Sequence, residues 1–117
     1  MHISFNKIIR LTRGDTADIH LTSLLDNAKD VVKGCTEADT FYLGIAEPNQ
    51  LFEDAIIKKM VKFEDIVDND LVFHLSTSDT EFLYPGKYYY TIKIGNTVNQ
   101  NELTVTTLIN EKLFWLE

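Results

Sequence analysis

The chain carries one cysteine, Cys35, so no intrachain disulfide can form and nothing points to maturation in an oxidising compartment. Two prolines and five glycines are too few for a low-complexity linker. Basic residues are scarce: 11 against 18 acidic, for a formal charge of −7. A chain of that sign repels a phosphate backbone, which removes nucleic acid from the expected partners. The acidic residues scatter through turns and strand ends and read as solubilising. No apolar run approaches the ~20 residues of a membrane span, so no membrane partner is expected. The opening segment, MHISFNKIIR, lacks an uninterrupted apolar core of signal-peptide length. The expectation is a soluble protein made in the cytoplasm, with no encoded secretory route. Nucleophile elbows, glycine-rich phosphate loops, zinc motifs and paired-carboxylate motifs are also missing, so no catalytic, cofactor-binding or metal residues are expected and the chain reads as a non-enzyme.

What is present is alternation. At 117 residues, 44% of them hydrophobic, the chain makes one domain spanning residues 1–117 with a core that needs no staples. Thr40–Ala46 places Phe41, Leu43 and Ile45 on one face, and Gly44 in its interior marks a close approach or a bulge. Leu71, Phe73 and Leu75 alternate, as do Tyr88, Tyr90, Ile92 and Ile94 against Tyr89, Thr91 and Lys93. Ile3–Thr12 is a first strand, with Ile3, Phe5, Ile9 and Leu11 apolar and a bulge or bend near Asn6-Lys7-Ile8. Arg13-Gly14-Asp15 turns the chain into Thr16–Leu21, making a hairpin or a tight corner. Val31-Val32 reads as a short edge strand. Phe52–Phe63 fits either a helical stripe or a strand with Ile57, Lys59 and Val61 on one face, and the β-branched residues favour the strand. Ser78 with Glu81 fits a capping box for one short helical turn, anchored by Leu83 and stopped by Pro85-Gly86. Leu103 and Val105 alternate within Glu102–Leu108, and Glu111–Glu117 is a short apolar tail. Seven or eight short strands at this spacing predict an all-β fold: an immunoglobulin-like antiparallel β-sandwich with one short helical turn.

Candidate chemistry is sparse. His2, His20 and His74 follow no ligand spacing and read as surface histidines. Cys35 stands beside Glu37, which hinders thiolate formation, so an inert packing role is expected. The acidic run Glu64–Asp70 fails as a calcium loop: counting from Asp68, position six is Phe73 where glycine is needed and position twelve is Asp79 where glutamate is usual. Arg-Gly-Asp at 13–15 reads as a turn, since the tripeptide alone is a common accident.

Tyrosine is the positive feature. Tyr42, Tyr84, Tyr88, Tyr89 and Tyr90 cluster in the predicted strands and turn. Consecutive tyrosines in a strand point to both faces, so at least one must lie outside the core. Tyr42 and Tyr89 are therefore interface candidates, because tyrosine buries large area and keeps a polar tip. Leu113, Phe114, Trp115 and Leu116 are the second candidate, an apolar end able to complete an edge strand or dock on another subunit.

Three segments in order, LTRGDTADIHLT at Leu11–Thr22, FYLGIAEPNQLFEDAIIKKM at Phe41–Met60 and DTEFLYPGKYYYTIKI at Asp79–Ile94, resemble the small β-sandwich domain of Gram-positive phage baseplate and tail proteins. That type stands at the N-terminus of upper-baseplate proteins and also occurs as short stand-alone phage or prophage proteins. The resemblance implies a non-catalytic structural or assembly subunit of a tail or baseplate, made in the bacterial cytoplasm and residing in a virion or tail-like particle. It implies homo-oligomeric copies and other tail or baseplate proteins as partners, with no cofactor. The chain ends soon after the sandwich, which favours an adaptor or accessory role over direct receptor binding. The rival expectation is a carbohydrate-binding β-sandwich module that uses the same tyrosines as stacking platforms for surface glycans.

Overall fold

The computed structural model describes the backbone of residues 2–3, 7–99 and 102–117 and the side chains of 7–96 and 105–117. The readings of His2, Ile3, Phe5 and Leu103 as side chains lie outside the described residues. The described strands form a mostly β fold. They are β1 (His2–Ile3), β2 (Ile9–Leu11), β3 (Ala17–His20), β4 (Asp39–Ala46), β5 (Ile57–Lys62), β6 (Val72–Leu75), β7 (Gly86–Asn99) and β8 (Glu102–Leu116). Among the described residues three short helices join them: α1 (Leu21–Leu24), α2 (Ala28–Lys33) and α3 (Thr77–Thr80). Six strands make one sheet in the order β1-β2-β8-β7-β4-β5, and β3-β6 make a second.

The alternation read from the sequence sets the faces. Phe41, Leu43 and Ile45 of β4 lie in register with Ile94, Ile92 and Tyr90 of β7, and this face is buried. Ile9 and Leu11 of β2 and Phe114 and Leu116 of β8 extend it. Ile19, Phe73 and Leu75 of the small sheet, with Leu21, Leu24, Ala28 and Val32 of the two helices, close the same core from the other side. Each such aliphatic or phenyl side chain contributes roughly 1.5–3 kcal/mol by leaving water. Tyr90 is fully buried, and its Oη donates to the Lys7 carbonyl at 2.5 Å, so the polar tip costs little. Burial drives its phenol far above the ordinary value.

Several expectations are corrected. The sheet is mixed, because β2 runs parallel to β8 with Ile9 opposite Phe114; an all-antiparallel arrangement is not what forms. Val31 and Val32 lie in α2, where Ala28 and Val32 share one buried stripe at i, i+4 spacing. The single expected helical turn is one of three short α-helices, accompanied by 3-10 turns at Phe52–Asp54 and Phe63–Asp65. The helix cap is Ser76 with Asp79, two residues before the predicted pair: the Asp79 carboxylate accepts from the Ser76 N–H at 2.7 Å and from its Oγ at 3.1 Å. Glu102–Leu108 and the apolar tail are one strand. A register irregularity around Asn110-Glu111, with Glu111 at φ 47°, lets it continue through Leu116.

Arg13-Gly14-Asp15 is a corner between the two sheets, not a hairpin. Gly14 has φ 85°, a conformation glycine adopts without penalty, and the Asp15 N–H closes on the Thr12 carbonyl at 3.0 Å. The Gly14 N–H also donates to Thr80 Oγ1 at 2.9 Å, which docks the corner on α3. From α3, Asp79 reaches Lys59 on β5 at 2.8 Å and ties the small sheet's helix to the edge of the large sheet. No helix among the described residues is long and apolar enough to cross a membrane.

Candidate functional site

The faces of β4, β7 and β8 decide where each predicted interface residue falls. Side chains that alternate with the core residues point to the outer face of the large sheet. Tyr42 lies there between Met60 and Lys93, Tyr89 between Ala46 and Leu113, and Trp115 between Arg10 and Lys87. Tyr42, Tyr89, Leu113 and Trp115 are each half-buried. Phe114 and Leu116 face the core and are fully buried, so neither is available for docking as the sequence suggested. Their strand is not a free end: β8 is clasped by β7 on one side and by β2 on the other. The structure brings Tyr89 and Leu113 together. Tyr42 stands four residues along β4 from Ala46, the register partner of Tyr89, or about 13 Å away.

The β4–β5 connection folds back over this outer face. Phe52 lies on Gly44, where any Cβ would sit 2.6 and 2.8 Å from two ring carbons, so only glycine admits the ring. The Lys93 ammonium stands 4.3 Å from the Phe52 ring centroid on the same face. Between the folded connection and the sheet runs a groove of about 720 Å³. Its floor is Gly44, Ala46 and Thr91; its walls include Glu47, Asn49, Gln50 and Glu53 on one side, and Tyr89, Asn110 and Glu111 on the other.

A second feature was read only in part: the tyrosine cluster includes Tyr84, but Phe82 beside it escaped the sequence reading. Phe82 and Tyr84 are 85% and 86% exposed on the turn between α3 and β7. That turn is held from several sides. Leu83 packs against the core, and its N–H bonds to the Thr80 carbonyl at 3.0 Å. The Tyr88 Oη donates to the Tyr84 carbonyl at 2.6 Å. Two large rings are thus presented on a fixed backbone. Alternation about Leu83 was the signal: one inward leucine places both neighbours outward.

Other candidates resolve into structural roles. His74 Nδ1 lies 2.6 Å from Asp18 and His20 Nδ1 3.1 Å from Asp70, so each histidine is held by a single carboxylate, the first across β3-β6 and the second beside that sheet. Among the described residues no group of three or more His, Cys, Asp or Glu could hold a metal ion. The acidic run is a tight turn, with Asp68 and Asn69 at positive φ between bridged Val67 and Asp70. Cys35 donates to the Val31 carbonyl at 3.1 Å. Burial, then the Asp39 charge and hydrogen bond, push its thiol up to about 11, so little thiolate forms at neutral pH.

Comparison of the chain with known protein families, with curated proteins and with solved structures yields no match.

Proposed function

We propose that this domain is a non-catalytic structural or assembly subunit of a phage or prophage-derived tail or baseplate. It acts through protein–protein contacts, is made in the bacterial cytoplasm, and works as repeated copies alongside other tail or baseplate proteins. The observation that carries the proposal is the Phe82–Tyr84 turn. Exposed aromatics on a pre-ordered backbone lose little entropy on docking, and aromatic anchors dominate interface energetics.

The sequence resemblance supports the setting. Its three segments form the corner from β2 to β3, the β4–β5 unit with its folded-back connection, and α3 with the aromatic turn and β7. An immunoglobulin-like reading of the fold accords with the core that the β3-β6 pair shares with the β1-β2-β8-β7-β4-β5 sheet. It also accords with the Tyr88 hydrogen bond to the carbonyl four residues upstream, the tyrosine corner of such sandwiches.

The test is reconstitution with the tail and baseplate proteins encoded beside it, using parent and Phe82→Ser/Tyr84→Ser proteins. The parent forms a defined complex. The double variant, with an unchanged melting temperature, loses affinity at least roughly tenfold. A parent that stays monomeric at all concentrations and binds none of those proteins overturns the proposal.

A further inference from the structure

The groove over the outer sheet face has a chemistry separate from the aromatic turn. We propose that it is a binding site for a short neutral saccharide. This inference is independent of the assembly reading.

The lining narrows the ligand class. Glu47, Glu53 and Glu111 border the groove, in a chain of formal charge −7, so a phosphate or carboxylate ligand is repelled. Two ammonium groups offset much of that charge. Lys93 lies in the lining, and Lys58 Nζ donates to the Glu53 carbonyl, which leaves a small negative excess that disfavours an anion without making a strong cation site. Pro48, Leu51, Phe52 and Ala55 add apolar surface to the lining, but its carboxylates, amides and hydroxyls predominate. Those groups suit a neutral molecule rich in hydroxyls. The planar carboxylates and side-chain amides of Glu47, Asn49, Glu53, Asn110 and Glu111 accept or donate in pairs, matching adjacent hydroxyls. Tyr89 adds a half-exposed ring for the apolar C–H face of a sugar. The volume of about 720 Å³ falls inside the ~300–1,000 Å³ range of small-molecule sites.

The walls are fixed before any ligand arrives. Gln50 N–H donates to the Glu47 carbonyl at 3.0 Å, and Glu47 N–H donates back to Gln50 Oε1 at 3.0 Å. Phe52 on Gly44 pins the far end of the connection. On the opposite wall, Glu111 N–H donates to Thr91 Oγ1 at 3.2 Å. Asn49 and Glu111 both carry positive φ, at 67° and 47°. A glutamate in that conformation is costly where glycine would be relaxed, and such strained positions gather at functional sites.

The experiment is an NMR titration of the full chain with maltotriose, cellotriose, chitotriose and, separately, trilysine. The expected result is saturable amide shifts with at least one trisaccharide, confined to residues 44–55, 89–93 and 110–111. Tyr89→Ala weakens that binding roughly tenfold and Glu111→Gln measurably, whereas Tyr89→Phe keeps the ring and most of the affinity. The spectrum of each variant reports whether it is folded. Absence of shifts with every sugar overturns the proposal, as does a response to trilysine alone or binding indifferent to Tyr89→Ala.

Discussion

Replacing Asp79 tests how much one carboxylate contributes by capping α3 and tying it to the edge strand β5. Asp79 closes the N-terminus of α3 through Ser76 and pairs with Lys59 of β5 at 2.8 Å, the two side chains being 18% and 28% exposed. Losing a helix cap costs about 1 kcal/mol. The ion pair lies between two regimes: exposed pairs contribute about 0–1 kcal/mol, and breaking a buried pair costs about 3–5. A value of about 1–2 kcal/mol fits this partial burial. Asp79→Ala therefore destabilises by about 2–3 kcal/mol, or roughly 8–12 °C in Tm for a domain of this length. Asp79→Asn keeps a cap acceptor and loses only the pair, about 1–2 kcal/mol, and adding Lys59→Met recovers part of that by removing the stranded ammonium. Urea unfolding followed by Trp115 fluorescence measures all of these, since Trp115 is the chain's one tryptophan. Burial alone would raise the Asp79 pKa. The Lys59 hydrogen bond, the two Ser76 bonds and the Lys59 charge outweigh it and hold the carboxyl below its usual range. Its stabilisation is therefore complete above the unfolded value of about 3.9 and drains as pH falls through the lower folded value. The gap between parent and Asp79→Asn stays level from pH 7 to about 5 and closes in stronger acid. A loss below about 0.5 kcal/mol for Asp79→Ala, or a gap that widens in acid, would refute the reasoning.

Two further outcomes follow from local geometry. Gly44→Ala forces the Phe52 ring off the sheet and breaks its contact with Lys93, costing about 1 kcal/mol; a melt unchanged from the parent, with Phe52 still in contact with Lys93 by NMR, contradicts the packing. With its thiol pushed up to about 11, Cys35 is alkylated by iodoacetamide at pH 8 roughly a hundredfold slower than a free cysteine, and the rate climbs with each pH unit to 10. A plateau near pH 9 means that the thiol is not held as described.

The strands around the core were legible because each obeys a period of two over at least four residues, as in Phe41-Leu43-Ile45 and Tyr88-Tyr90-Ile92. Gly44 was legible in part: a glycine inside a strand reads as a close backbone approach or a bulge, and what approaches is the side-chain ring of Phe52. The misreadings have physical causes. Val31-Val32 look strand-like alone, yet Ala28 and Val32 bury one side of α2 at i, i+4 spacing, and tertiary burial overrides β-branching. The C-terminal strand was split in two because the irregularity at Asn110-Glu111 shifts the phase: Ile109 faces inward before it, Phe114 and Leu116 after it. That slip also hid the burial of two expected docking residues. The groove could not be read at all, since its walls come from segments about sixty residues apart, joined only by strand register.

The parallel seam between β2 and β8 governs the order in which the domain can assemble. Among the described strands, the β1–β2 ribbon pairs with the rest of its sheet through β8 alone, and Leu11 and Arg13 exchange backbone hydrogen bonds with Glu117. During synthesis β4 can pair with β5 and β7 early, whereas the β1–β2 ribbon completes its pairing only once β8 has followed. Such distant closure slows folding toward the millisecond-to-second regime of folds dominated by non-local strand pairing. It also makes the ribbon the piece most exposed to capture by a neighbouring chain while it waits.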